Sequence, residues 1–175
     1  MRICVYGAAN DSIDDRHLEE GNKMGRLLAA KGHGLVFGAG DTGMIGAVAR
    51  GFAQNDGHIC GIAPTFFDRP GVLYQGCDEM IFTETMRERK QLMEDKSDAF
   101  IVTPGGLGTL EEFFEILTLK QLARHQKPII IFNHLGYYDP LLALLSHTVE
   151  QGFARQSDAE LVKVATTAEE VAELL

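Results

Sequence analysis

Short apolar runs recur along the chain at 3–6, 35–37, 59–62, 79–82, 99–102 and 129–132, each closed by a turn, with a last run at 161–164. Between them, at 17–31, 43–55, 86–94, 108–125, 137–151 and 167–175, apolar positions return every three or four residues. A period near 3.6 is that of a helix with one buried face, and a continuous apolar run of four or five is that of a strand covered on both faces. The alternation predicts βαβ units: an α/β fold with a doubly wound (Rossmann-like), mostly parallel sheet and helices on both faces, in a single domain over 1–175, with 161–164 as an edge strand. Stop signals support these limits, with Lys31-Gly32 closing the first helix, Asn55-Asp56-Gly57 the second, and Lys127-Pro128 preceding the sixth strand. Ligands of such sheets bind at the carboxyl ends of the strands, where the Gly-rich turns of this chain fall. The longest non-periodic segment, 64–78, reads equally as a binding loop and as a packed connection.

Composition narrows the class. A chain of 175 residues with 45% apolar and 23% charged residues can bury one core. The net charge is -9, and cations gather only as Arg87, Arg89 and Lys90, so the electrostatic footprint of a nucleic-acid binder is missing, while a small phosphate ester remains compatible. Three widely spaced cysteines suggest free thiols. The six histidines have no metal-ligand spacing and there is no G-x-S-x-G elbow, so neither a metal nor a serine nucleophile is expected. No apolar stretch reaches membrane-span length and the N-terminal run is too short for a signal peptide. A cytoplasmic protein without membrane or nucleic-acid partners is expected.

Three constellations carry chemistry. The first is the strand 99–102 running into Thr103-Pro104-Gly105-Gly106-Leu107-Gly108-Thr109 and a helix. Glycines let backbone approach a ligand, and free N–H groups at a helix start favour an anion; Thr109 is placed to cap or to donate to a phosphate oxygen. Glu111 and Glu112 follow, about 100° apart on the helix. Glu112, four positions from Gly108, faces the loop and Glu111 the solvent. The second is Thr85-Met86-Arg87-Glu88-Arg89-Lys90, with cations at a helix start where the macrodipole disfavours them, which asks for an anionic partner. Arg87 and Lys90 share a face and Arg89 points elsewhere. The third, Gly38-Ala39-Gly40-Asp41-Thr42-Gly43, is read as a second backbone cradle for the same nucleotide, with helix packing as the alternative.

On these residues the chain resembles the Lonely Guy family of phosphoribohydrolases, whose P-G-G-x-G-T-x-x-E is matched from Pro104 to Glu112 and whose M-x-x-R-K is matched by Met86, Arg89 and Lys90. The likeness extends through Leu117-Thr118-Leu119-Lys120 and Gly136-Tyr137-Tyr138-Asp139-Pro140. It implies cleavage of the N-glycosidic bond of an adenine-type nucleoside 5′-monophosphate, with or without an N6 substituent, and without metal or cofactor. It also implies Arg89 and Glu112 at the reacting centre, Gly105, Gly106, Gly108 and Thr109 on the phosphate, and Lys90 and Thr118 as further contacts. A homodimer whose partner helices complete the pocket is implied as well, which suits the apolar stretch Phe113-Phe114-Glu115-Ile116-Leu117. The chain departs from the family after the first strand, where Ala8-Ala9-Asn10 replaces hydroxyl residues, and in 64–78, where a family glutamate is missing. The competing class is a non-catalytic nucleotide or cofactor carrier on the same scaffold. An amino-acid decarboxylase would need a lysine set apart for pyridoxal phosphate, and none stands out.

Overall fold

A computed structural model describes all 175 residues. Seven parallel strands form one sheet: β1 (Arg2–Tyr6), β2 (Gly34–Phe37), β3 (Ile59–Pro64), β4 (Glu79–Thr83), β5 (Ala99–Val102), β6 (Ile129–Phe132) and β7 (Lys163–Ala165), in the order β4-β3-β2-β1-β5-β6-β7. The longer helices are α1 (Asp15–Ala30), α2 (Gly43–Ala53), α3 (Met86–Asp95), α4 (Leu107–Gln121) and α5 (Asp139–Glu150), followed by the short α6 (Gln156–Ala159) and α7 (Ala168–Leu174). The expected doubly wound architecture is present, and the sheet is parallel throughout.

Alternate strand residues point to opposite faces, so each strand feeds two cores. Ile3, Val5, Phe37 and Ile101 pack with Met24, Met44, Val48 and Phe52 of α1 and α2 and with Val171 of α7. Cys4, Tyr6, Phe100 and Val102 pack with Met93, Phe113 and Ile116 of α3 and α4 and with Leu141 of α5. The strand order reverses at β1, which pairs with β2 on one side and β5 on the other, with Tyr6 opposite Val102. Connections leave this point in opposite directions and open a crevice above the strand ends.

Most boundaries shift by one or two residues from expectation, and the largest shift is at the end of α4. α4 stops at Gln121, short of 125, because Ala123 takes a left-handed conformation (φ 56°) and Arg124 N–H returns to the Leu119 carbonyl at 2.9 Å. This is the Schellman stop that Gly32 provides for α1, here carried by an alanine. His125 then turns inward, its Nε2 2.9 Å from the Ile116 carbonyl oxygen. The last strand falls at Lys163–Ala165, slightly later than 161–164, and lies at the sheet edge beside β6.

The segment 64–78 divides in two. Its second half is packed, with Asp41 N–H bonded to the Val72 carbonyl at 3.1 Å, Tyr74 N–H to the Ala39 carbonyl at 2.8 Å, and Leu73 buried. Its first half carries the exposed Phe66 and Phe67.

Candidate functional site

At the switch point a cavity of about 540 Å3 opens between the turns after β1, β2 and β5, the N-terminus of α3 and the loop at Phe67–Leu73. Gly38, Gly40, Arg89, Gly106, Gly108, Thr109 and Glu112 line it, so the two distant motifs meet in one place. The size suits a mononucleotide.

Arg89 and Glu112 form its floor. α3 starts with a capping box, in which the Thr85 hydroxyl accepts from Glu88 N–H (3.2 Å) and the Glu88 carboxylate accepts from Thr85 N–H (3.1 Å). Arg89 follows on that first turn and reaches inward, Nη2 donating to Glu112 Oε1 at 3.1 Å, both side chains nearly closed off from solvent. A Cβ on Gly38 would overlap the guanidinium, so the turn after β2 has room for Arg89 only because this residue is glycine. Arg89 Nε is buried without a partner. Burial pushes the Glu112 carboxyl up to about 7, against the pull of Arg89; Glu111 and Glu115 push the same way as burial and Lys90 opposes them.

The glycines of the loop do different work. A side chain at Gly105 would collide with Thr109, whereas Gly106 and Gly108 face open space, so any side chain there would occupy ligand volume. Gly106 caps α4 and its N–H has no partner in the protein. The N–H groups of the first turn of α4 also lack intrahelical acceptors, and together these donors form an anion cradle. Thr109 is buried at the cavity wall and does not cap the helix. Gly40 lines the same cavity. Gly43 does not: at φ 64° it abuts the Ala8–Asn10 backbone and its N–H donates to Asp11 Oδ1 at 2.7 Å, which is the packing role.

Two other expected contacts lie outside the cavity. Lys90 turns from the cavity to carboxylates of α4, pairing with Glu111 and, at 2.7 Å, with Glu115. Thr118 is exposed further along α4, beside an apolar groove with Phe114, Leu117, Leu145, Val149 and Phe153. Glu111 is exposed, as its helical phase predicts, but its partner is Lys90. Arg87 is exposed.

Sequence reasoning missed the apolar wall of Phe67, Val72 and Met86, and the supports behind the loop. Tyr138 hydroxyl donates to the Thr103 carbonyl and Tyr137 hydroxyl to the Gly105 carbonyl, each at 2.7 Å. Tyr137 and Tyr138 stood in the family likeness without a role, and the further signal was position, since they follow β6, the neighbour of β5.

A glycine cradle, a buried acid and a guanidinium at the switch point of a parallel sheet make this a doubly wound α/β protein with a site suited to a small anionic ligand. Residues 45–175 match the model of the family described as "Possible lysine decarboxylase". The chain is 38% identical over 162 residues to the cytokinin riboside 5′-monophosphate phosphoribohydrolase of Mycobacterium tuberculosis, covering 93% of this chain and 86% of that one. It is 33% identical over 174 residues to cytokinin riboside 5′-monophosphate phosphoribohydrolase LOG3 of Arabidopsis thaliana, covering 99% and 81%. The chain belongs to this family, the Lonely Guy phosphoribohydrolases. Among solved structures, the molybdenum cofactor binding protein of Rippkaea orientalis (24% identity, TM-score 0.74, 99% of this chain and 93% of that one) and the molybdenum cofactor carrier protein of Chlamydomonas reinhardtii (20%, 0.74, 98% and 93%) share the fold.

The decarboxylase description implies a Schiff-base lysine for pyridoxal phosphate. The cavity lining contains no lysine, and Lys90 is held outside by two carboxylates, so these residues do not fit that group. No helix is long and apolar enough to cross a membrane.

Proposed function

We propose that the protein hydrolyses the N-glycosidic bond of an adenine-type nucleoside 5′-monophosphate, releasing the free base and ribose 5-phosphate without metal or cofactor. The observation that carries this reading is the buried Arg89–Glu112 pair at 3.1 Å in the same cavity as the donors of Gly106, Gly108 and Thr109. The cradle takes the 5′-phosphate, and Lys90 acts on the site from outside, through the charges of α4. As the bond from C1′ to the base nitrogen breaks, its electron pair leaves with the base and positive charge builds on the ribose. Ionised Glu112 stabilises that charge or orients the water whose oxygen bonds to C1′. The water gives up one proton and the departing base takes one, so no net proton is made at this step. Arg89 favours the ionised form of Glu112 and holds its carboxylate at 3.1 Å. The apolar wall of Phe67, Val72 and Met86 is the surface available to the base.

Chromatographic assay of base release tests this over a panel of nucleoside monophosphates and their unphosphorylated nucleosides. Release from a monophosphate, little from its nucleoside, and a loss of about 10²-fold or more in kcat for Glu112→Gln are expected. Bound nucleotide that stays intact while protecting the fold against heat would make the protein a carrier.

A homodimer also belongs to this reading. The groove of α4 and α5 beside Thr118 is apolar and open, and a partner helix seated there is the route by which Thr118 would contribute to a completed site.

A further inference from the structure

The carbonyls of Thr103, Pro104 and Gly105 are all held from behind the loop. Tyr138 hydroxyl donates to the first (2.7 Å), Ala8 N–H to the second (3.1 Å) and Tyr137 hydroxyl to the third (2.7 Å). In a trans peptide the carbonyl of one residue and the N–H of the next point in opposite directions, and no peptide in the chain is cis. Holding the Gly105 carbonyl therefore aims the Gly106 N–H, which has no partner in the protein. The two sides are distinct cavities: Tyr137, Pro104 and Gly105 line one, Arg89 and Glu112 the other, and Gly106 stands between them in both. A peptide between two glycines has no Cβ to resist rotation, and a flip would turn a carbonyl lone pair toward the anion.

We infer that Tyr137 is a positioning residue for anion recognition, its hydroxyl fixing the Gly105–Gly106 peptide plane so that the Gly106 N–H serves a phosphomonoester. Tyr138 has a different task. The carbonyl it holds precedes Pro104, which has no N–H to aim, so its bond is structural. The Tyr137 ring is seated edge-on against His17 and Tyr138, with centroids 6.1 and 4.9 Å away. Tyr137→Phe therefore removes the hydroxyl and keeps the seat.

The inference rests on the hydrolase reading only where turnover is measured; binding of ribose 5-phosphate tests it independently. Tyr137→Phe should raise the Kd for ribose 5-phosphate and the KM for the nucleoside monophosphate about three- to tenfold, with kcat within about twofold. Its Tm should stay near that of the wild type, and affinity for the unphosphorylated nucleoside should not change. Tyr138→Phe, which loses a buried hydrogen bond, should lower Tm and leave the Kd for ribose 5-phosphate unchanged. Unaltered ribose 5-phosphate affinity in Tyr137→Phe, or equal losses for the phosphorylated and unphosphorylated ligands, overturns the inference. A wild-type protein that binds nucleotide without releasing base removes the hydrolase reading and leaves the binding comparison intact.

Discussion

Glu112 sits where two demands conflict. Catalysis of the proposed kind needs the carboxylate, and burial favours the acid, with the balance at about 7. Activity should rise with pH along a limb centred near 7, read from kcat/KM of the free enzyme. Lys90 enters here although it touches no part of the cavity. It neutralises Glu111 and Glu115, whose charges otherwise drive the Glu112 carboxyl higher. Lys90→Met should therefore move the limb to higher pH while the enzyme stays active above it. The same ionisation bears on stability. A carboxyl whose folded pKa is raised contributes stability that is present below 4.5 and is lost as pH rises through about 7. Glu112→Gln should thus gain Tm relative to the wild type at pH 8.5 compared with pH 5, by an amount corresponding to at most about 3 kcal/mol. The sequence made Glu112 and Arg89 legible through motif and helical phase. Charge and helix position alone did not tell which cation of α3 enters the cavity; the motif pointed to Arg89, and the physical reason is the space left by the missing Cβ of Gly38, a contact across 51 positions of chain.

Among the elements, α3 depends most on its first turn. The helix is polar, with Met93 its one fully buried residue, so packing stabilises it less than the helices that lie deep on the sheet. The Thr85–Glu88 box holds the turn from which Arg89 projects, and Arg89 N–H closes that turn on the Thr85 carbonyl at 3.2 Å. Thr85→Ala should cost about 1 kcal/mol, or roughly 2–4 °C in Tm. Its kcat should fall more steeply with temperature than that of the wild type, as the turn carrying Arg89 frays. Thr85 and Glu88 spell this start in the sequence. The end of α4 was hidden for a related reason: the left-handed stop is usually a glycine, and Ala123 gives no such sign, whereas Gly32 does for α1. The short α6 has too few residues for a periodic pattern, and sequence reading passed over it.

For the whole molecule, apolar periodicity predicted the layers, while the strand order had to come from pairing between distant segments. The face formed by α4 and α5 remains open, with Phe114, Leu144 and Phe153 exposed on or beside it. The proposed dimer would bury this apolar surface. Sedimentation should find an assembly larger than one chain, and Phe114→Asp should shift it toward monomer and weaken nucleotide turnover together. A monomeric wild type with full activity would refute that coupling. The pairing of β1 with β5 has a consequence for how the protein comes into being. Tyr6 and Val102 are neighbours in the sheet, and the groups that shape the anion loop run from Ala8 to Tyr137. The first half of a growing chain therefore has a partial sheet and no cradle. Such long-range closure is slow compared with local helix formation. Nucleotide can reward the chain only after β5, α4 and the paired tyrosines have left the ribosome, so a bound ligand acts as a seal on a finished molecule and cannot template its beginning.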